Sequence, residues 1–370
     1  MSDPRTTPLV QSLPASVPFV GPEAQERQRG APFAARIGAN ENVFGPSPRA
    51  IAAMQAAAGD IWQYGDPTSH DLRSALAAHH GVPMDNIVVG EGIDGLLGYL
   101  VHLLIAPGDR VVTSNGAYPT FNYHVTGYGG ALHKVAYRDD HEDLGALIDT
   151  AQTTGAKLIY FANPDNPMGS WHSGADVARA LDRLPKRCLL LLDEAYVECA
   201  PPGTAAEIDI HDPRVIRMRT FSKAHGMAGA RVGYAMGPAE LIGEFEKVRN
   251  HFGMNRAAQA GALAALHDTG WLTQTCAKIA AARDRIGEIA AANGLRALPS
   301  ATNFVAIDCG QDGDFARAVL AALLVRGLFV RMPFVAPQDR CIRVSCGRSE
   351  DLDLLSEALP DALAEAHQAA

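Results

Sequence analysis

Between residues 87 and 236 the chain repeats one pattern: a short apolar run, a turn signal, then a stretch of helical periodicity. The apolar runs are Ile87–Val89, Arg110–Thr113, Leu132–Val135, Lys157–Phe161, Cys188–Leu192, Val215–Arg219 and Val232–Ala235. Helical segments fall between most of them, at Gly95–Leu104, Leu144–Gln152 and Gly174–Asp182. Short runs of continuous apolar residues read as buried strands, and their alternation with helices predicts an α/β lobe around a mostly parallel sheet. Before this region, Ser47 and Pro48 offer an N-cap and a first-turn proline for a helix over Arg49–Ala58. Asp71–His79 reads as another helix, stopped by Gly81. After it come helices at Pro238–Asn250 and Arg256–His267, then a long one at Leu272–Asn293.

Beyond that long helix the pattern changes. Strands are expected at Asn303–Asp308, Leu328–Arg331 and Cys341–Ser345, and helices at Asp314–Arg326 and Glu350–His367. This reads as a smaller α+β lobe. Residues 1–35 are proline-rich and weakly periodic, so an irregular arm is expected there. The division that follows is an arm over 1–45 that partly joins the small lobe, a large domain over 46–270 and a small domain over 271–370.

A chain of 370 residues exceeds what one hydrophobic core usually serves, which agrees with two lobes. With 32 Lys and Arg against 41 Asp and Glu, the net charge is −9. An acidic chain without a basic run argues against nucleic acid and anionic membrane as partners. A small anion remains an acceptable ligand, because a few local arginines can bind one. No apolar run approaches the length of a membrane span, and the N-terminus lacks the pattern of a signal peptide. Cys188, Cys199, Cys276, Cys309, Cys341 and Cys346 are scattered and make no CxxC pair. They read as reduced thiols of a cytoplasmic protein, with no metal site among them.

Four segments carry candidate chemistry. Gly90-Glu91-Gly92-Ile93-Asp94-Gly95 follows a strand and opens a helix. It matches a dinucleotide fingerprint only weakly, because the acidic residue at the right distance, Asp109, sits in a turn; the more general reading is one phosphate held by backbone N–H groups at a helix N-terminus, the alternative a tight turn with no ligand. Asn163-Pro164-Asp165-Asn166-Pro167-Met168-Gly169 places two prolines in a short loop that either holds the Asn166 amide in one direction or is a plain turn. Asp193, in Asp193-Glu194-Ala195-Tyr196, stands at the carboxyl end of a buried strand, where α/β sheets place ligands; otherwise it caps the next helix. The segment from Thr220 to Arg231 sets Ser222, Lys223 and Arg231 among small and apolar residues. A lone lysine is usually a solvated charge, but an enclosed one loses its proton more easily and can form a Schiff base.

Together the four describe a phosphate cup, a buried carboxylate, donors for a ring hydroxyl and an imine-forming lysine, which is what pyridoxal phosphate requires. At this point the chain resembles the class I/II aminotransferases of fold type I, and within them the histidinol-phosphate aminotransferases. The likeness runs from about Gly38 to Arg348. It includes Asn40-Glu41-Asn42, Tyr64-Gly65-Asp66, Tyr118-Pro119-Thr120-Phe121 and Ile342-Arg343-Val344-Ser345 besides the segments above. The resemblance implies the fold type I architecture, with a mostly parallel seven-stranded sheet in the large domain. It implies that Lys223 carries the Schiff base and moves the proton, that Asp193 pairs with the pyridine nitrogen, and that Asn166 and Tyr196 bond the ring hydroxyl. Tyr118 would stack on the ring. Gly92, Ile93, Asp94, Ser222 and Arg231 would hold the phosphate, with Tyr64 of a neighbouring subunit. A homodimer with shared active sites follows. Arg343 would take the anionic end of the substrate and Arg331 a substrate phosphate, with Asn40 also on the substrate side. Substrates would be an amine and a 2-oxo acid. Phe19 stands where the family has a tyrosine that helps receive substrate, which leaves an aromatic or other amino acid as the alternative donor. A decarboxylase, racemase or lyase on the same cofactor is the more distant alternative.

Overall fold

The seven apolar runs all become strands of one sheet. In the computed structural model, which describes residues 5–14 and 20–369, they are β1 (Ile87–Gly90), β2 (Arg110–Ser114), β3 (Ala131–Val135), β4 (Leu158–Ala162), β5 (Leu189–Asp193), β6 (Val215–Thr220) and β7 (Gly233–Met236). Their spatial order is β1-β7-β6-β5-β4-β2-β3. β7 runs antiparallel to β1 and β6; the remaining pairings are parallel. Strands β4 and β5 are buried along their whole length, as helices on both faces require. One apolar core, with Leu96, Leu100, Phe121 and Tyr160, covers one face. Another, with Leu147, Ile159, Leu190 and Val177, covers the other.

Because the parallel strands point the same way, their carboxyl ends gather at one edge. Gly90 opens onto the helix Gly92–Leu104, Asp193 ends β5, and Thr220 ends β6 just before Lys223. The sheet therefore assembles residues that are far apart in sequence.

The C-terminal part forms a three-stranded antiparallel sheet of Arg296–Ala297, Phe304–Asp308 and Cys341–Ser345, covered by the helices Gly313–Val325 and Ser349–Ala369. Its core includes Ile286, Ile307, Phe315, Val344 and Leu355. The helix Thr269–Ala292 contributes Ile279, Ile286 and Ile289 to that core. Ala35–Arg36 pairs with Leu328–Phe329, so the arm enters this part of the molecule as a strand.

Several local expectations need correction. The arm is not wholly irregular: Pro8–Ser12 and Pro22–Arg29 are helical. In both, a proline at the first position sets the backbone angle and lacks an N–H the helix would leave unpaired; Thr7 caps the first and Gly30, in the left-handed region, ends the second. The helix Pro119–Gly127 also has no counterpart in the expectation; Pro119 likewise opens it. The strand expected over Leu328–Arg331 stops at Phe329, and Arg331 instead makes an isolated bridge to Arg343. Among the described residues, no helix is long and apolar enough to cross a membrane.

Candidate active site

A cleft at the carboxyl edge of the sheet is lined by Ile93, Asp94, Tyr118, Asn166, Asp193, Tyr196, Ser222, Lys223 and Arg231, with Tyr160 behind them. All these residues except Tyr160 were named from sequence as cofactor contacts. A second, wider hollow continues outward past Asn40, Lys223, Arg331 and Arg343 to Phe334. Lys223 and Asn166 line both.

At the inner end, Gly92 starts its helix with φ +74°, and no side chain caps the first turn. A Cβ on Gly92 would lie 2.4 Å from Arg231 Nη2. Only glycine combines that angle with that approach. Gly233 of β7 also presses close: a Cβ there would lie 2.8 Å from the Gly92 carbonyl carbon and from Ile93 N. Arg231, itself at φ +57°, reaches Ser222 Oγ with Nη1 (3.4 Å) and pairs with Asp94 (3.6 Å). Thr220 Oγ1 fixes Ser222 by accepting from its N–H and donating to its hydroxyl, both at 3.0 Å. The result is a concave set of donors: open helix N–H groups, a hydroxyl and a guanidinium, which is an anion site by its chemistry.

Asp193 lies at the floor, fully enclosed. Its carboxylate accepts from Tyr160 Oη (2.7 Å) and from Ala195 N (3.0 Å). Burial nevertheless pushes its pKa up from 3.8 to about 6, against the help of those two donors. Tyr160 is the contact that sequence reasoning missed. Its one available signal is a phenol inside an otherwise hydrocarbon strand, since a buried hydroxyl must find a partner. The Tyr160 ring also stacks on Phe121 at 4.8 Å.

Lys223 is half-buried. Its Nζ donates to Asn40 O (3.3 Å) and stands 5.5 Å from the centre of the Tyr196 ring. The Tyr196 hydroxyl receives the amides of Asn40 (3.3 Å) and Asn166 (3.4 Å). Asn40 has φ +55° and is held by Ser345, whose hydroxyl accepts from its N–H and donates to its side-chain oxygen. Tyr118 donates to Asp94 (3.0 Å), and burial beside that carboxylate pushes its phenol up.

The loop carrying Asn166 is stapled rather than free. Asp165 accepts from Met168 N (2.9 Å) and from Tyr137 Oη (2.9 Å). Behind it, buried Glu142 takes Ser114 Oγ (2.5 Å) and Ala162 N (3.1 Å). Burial and the neighbouring Asp165 charge push the Glu142 carboxyl up. Sequence gave no sign of this pair, because Glu142 reads as one more surface acid.

Arg343 donates to the Asn166 side-chain oxygen and to Gly38 O, with its Nε buried and without a hydrogen-bond partner among the described residues. Burial lowers its pKa to about 10, and Arg331 adds repulsion. The two arginines are neighbours through their backbones, with Arg343 N to Arg331 O at 2.6 Å. Arg331 also donates to Val20 O (2.7 Å). Two guanidiniums in a partly dry hollow favour an anion between or beside them.

Phe19 lies outside the described residues. Tyr64 is 77% exposed, its ring against Phe252 at 4.6 Å, and does not reach the site of its own chain. His225, two residues after Lys223, packs on Phe221 at 4.7 Å and is not among the residues lining the cleft.

Comparison with known proteins agrees with this geometry. The family model described as aminotransferase class I and II matches residues 35–359. A histidinol-phosphate aminotransferase of Moorella thermoacetica is 32% identical, covering 98% of this chain and 94% of its own. Histidinol-phosphate aminotransferase 1 of Mesorhizobium japonicum is 36% identical, covering 91% and 92%. The crystal structure of histidinol-phosphate aminotransferase from Sinorhizobium meliloti, in complex with pyridoxal-5'-phosphate, superposes with a TM-score of 0.95 at 53% identity, covering 98% of each chain. The seven-stranded sheet, the lysine at its edge and these likenesses lead to one statement: the chain belongs to the class I and II aminotransferase family.

Proposed function

We propose that this chain is a pyridoxal-phosphate-dependent aminotransferase that takes its amino group from histidinol phosphate or a closely similar phosphorylated amine and passes it to a 2-oxo acid. The observation that carries the substrate is the Arg331–Arg343 pair, joined backbone to backbone in the hollow that opens from Lys223. The relatives named above support the same class.

The residues fit the cofactor. The glycine cradle at Gly92, where a Cβ would strike Arg231, leaves room for a phosphate against backbone N–H groups, and Ser222 and Arg231 would hold its oxygens. Asp193, whose carboxylate has donors but, among the described residues, no ion-pair partner, fits a protonated ring nitrogen. Tyr118 would cover a ring face, and Asn166 and Tyr196 would meet the ring hydroxyl. When bound, the cofactor supplies an aldehyde that takes up amines and a ring that accepts the electron pair released as a substrate C–H bond breaks.

The chain's own work is positional and acid–base. Lys223 Nζ, steered by Asn40 O, is placed to take a proton from the substrate carbon and return it to the cofactor side. Asp193 keeps positive charge at the ring nitrogen, which is where electrons must flow. Arg343 and Arg331 orient the substrate by its anionic group, so that the reacting carbon faces Lys223. Burial of Arg343 excludes water and strengthens that pairing.

The same proposal includes a homodimer with shared sites. Tyr64, Ile61, Trp62 and Phe252 are all exposed and apolar or aromatic, and such a patch is costly on a monomer. Tyr64 would then reach the partner's phosphate cup. The domain division at residues 46–270 and 271–370 belongs here too: Lys223 and Asp193 come from the first part, Arg331 and Arg343 from the second.

The deciding experiment is a single turnover. Purified, cofactor-loaded protein is mixed with histidinol phosphate, then separately with aromatic and other amino acids, while the visible absorbance of the cofactor is followed. Rapid loss with histidinol phosphate and slow loss with the others supports the proposal. Loss with an aromatic amino acid and none with histidinol phosphate overturns the substrate; loss with no amine tested overturns the activity.

A further inference from the structure

Cys199 and Cys276 lie far apart in sequence and are brought together in the same core. Cys199 ends the short 3-10 turn Val197–Cys199, which starts directly after Tyr196. Cys276 lies in the early turns of the helix Thr269–Ala292. Cys199 follows directly on Glu198, the residue whose carbonyl the Cys276 thiol meets, so the two cysteines lie side by side. The Cys276 thiol donates to Glu198 O at 3.1 Å. Two turns along the same helix, Arg283 donates to Cys199 O (3.1 Å) and Thr302 O (3.2 Å), which brings a fixed positive charge to the pair. Of the six cysteines, Cys276 is the one that is not buried. The groups facing it are therefore Cys199, Glu198 and Arg283, with Cys346 buried behind Cys199. The neighbouring Cys199 thiol, with help from Arg283, holds the Cys276 thiol below its usual range despite burial and Glu198, while Cys199 is pushed well up.

We propose that Cys276 and Cys199 form a peroxide-responsive dithiol, in which Cys276 is the attacking sulfur and Cys199 the resolving one. An accessible, acidic thiol beside a second thiol is the arrangement such chemistry needs. The Cys276 sulfur attacks one oxygen of a hydroperoxide; the S–O bond forms, the O–O bond breaks, and the departing oxygen leaves protonated, as water when the oxidant is hydrogen peroxide. The Cys199 sulfur then attacks the Cys276 sulfur; the S–S bond forms, the S–O bond breaks, and a second water carries away the Cys199 proton. Two thiols lose two electrons and two protons, and one peroxide is reduced to two waters. The bond ties the turn behind Tyr196 to the long helix. Cys199 N donates to Tyr196 O at 2.9 Å, so the tether acts one hydrogen bond from a cleft residue.

The test uses holoenzyme treated with a small excess of hydrogen peroxide, then denatured, alkylated and mapped by mass spectrometry. The expected result is a protein lighter by two hydrogens, with two thiols protected and the Cys199 and Cys276 peptides joined. Cys199→Ser should stop at a dimedone-reactive sulfenic acid on Cys276. Cys276→Ser should leave every remaining thiol open to alkylation at the same peroxide dose. Full alkylation of the oxidised wild type, a bond between any other pair, or undiminished oxidation of Cys199 in Cys276→Ser overturns the proposal. Wild-type protein alone gives a second check that no misfolded variant can obscure. Brief alkylation of untreated holoenzyme should label Cys276 first, on the order of tenfold faster than any other cysteine; another order of labelling overturns the assignment of the attacking sulfur.

Discussion

Asp193 is held in a conflict that its strand imposes. The carboxylate is enclosed, so the folded state prefers it protonated, yet its proposed task requires a negative charge. Its folded pKa of about 6 lies above the ordinary 3.8, so the folded protein binds the proton more tightly than the unfolded chain does. In cofactor-free protein that group's contribution to stability is therefore greatest at acid pH and is lost as pH rises through the range from 3.8 to about 6. Asp193→Asn should accordingly stabilise cofactor-free protein at neutral pH, by on the order of 2–3 kcal/mol, with the difference shrinking to little near pH 4. Urea melts at both pH values check this; an equal difference at both would refute it. The same variant should lose turnover by roughly a hundredfold or more. Lys223→Ala should abolish turnover while leaving the fold intact, and normal activity in it would refute the lysine's role. Tyr160→Phe removes one of the two donors to Asp193 and should weaken cofactor binding without changing KM for the amine, because Tyr160 acts through Asp193. Lys223 and Asp193 were legible because their chemistry is rare and their neighbours in sequence share it. Tyr160 and Glu142 were not, because what matters is the partner each meets across the sheet.

At the scale of elements, the start of the helix Gly92–Leu104 is the sensitive point. Gly92 permits the left-handed backbone and the close approach of Arg231, while Gly233 lets β7 pass beneath. Gly92→Ala should cost about 1 kcal/mol in backbone strain and should raise the cofactor dissociation constant by at least tenfold (about 1.4 kcal/mol), because Arg231 must leave its place beside Ser222. Gly233→Ala should be worse for the fold, since the atoms in the way are backbone. Equilibrium dialysis of the cofactor, with thermal melts, separates the two; an unchanged dissociation constant in Gly92→Ala would remove this turn from the phosphate site. The turn itself was legible in the glycine spacing. Which reading of it applies was not, because a helix N-terminus serves any anion and the neighbours that bear on it, Ser222 and Arg231, come from the segment between β6 and β7.

For the whole molecule the prediction concerns two copies. If Tyr64 completes the partner's site, Lys223→Ala and Tyr64→Ala chains are each deficient, yet a mixed dimer contains one site with both residues intact. Refolding the two variants together in equal amounts should therefore restore roughly a quarter of wild-type activity, as random pairing of a two-fold dimer dictates. No recovery, in a mixture shown by sedimentation to be dimeric, would place Tyr64 outside the shared site. Its exposure on the single chain is what the proposal requires and what the sequence had no means of displaying.

The sequence by itself determined the order of elements, the parallel character of the sheet and the chemistry at each strand's end. Apolar periodicity is local, and an aspartate, lysine or glycine keeps its chemistry wherever it is found. Only the tertiary structure decided which ends meet. It set Tyr160 under Asp193, locked Asn40 between Ser345 and Tyr196, and laid Arg331 beside Arg343. It also left Tyr64 facing outward and turned parts of the arm helical. Such contacts join positions remote along the chain, and their energy depends on shape and burial that no local pattern records.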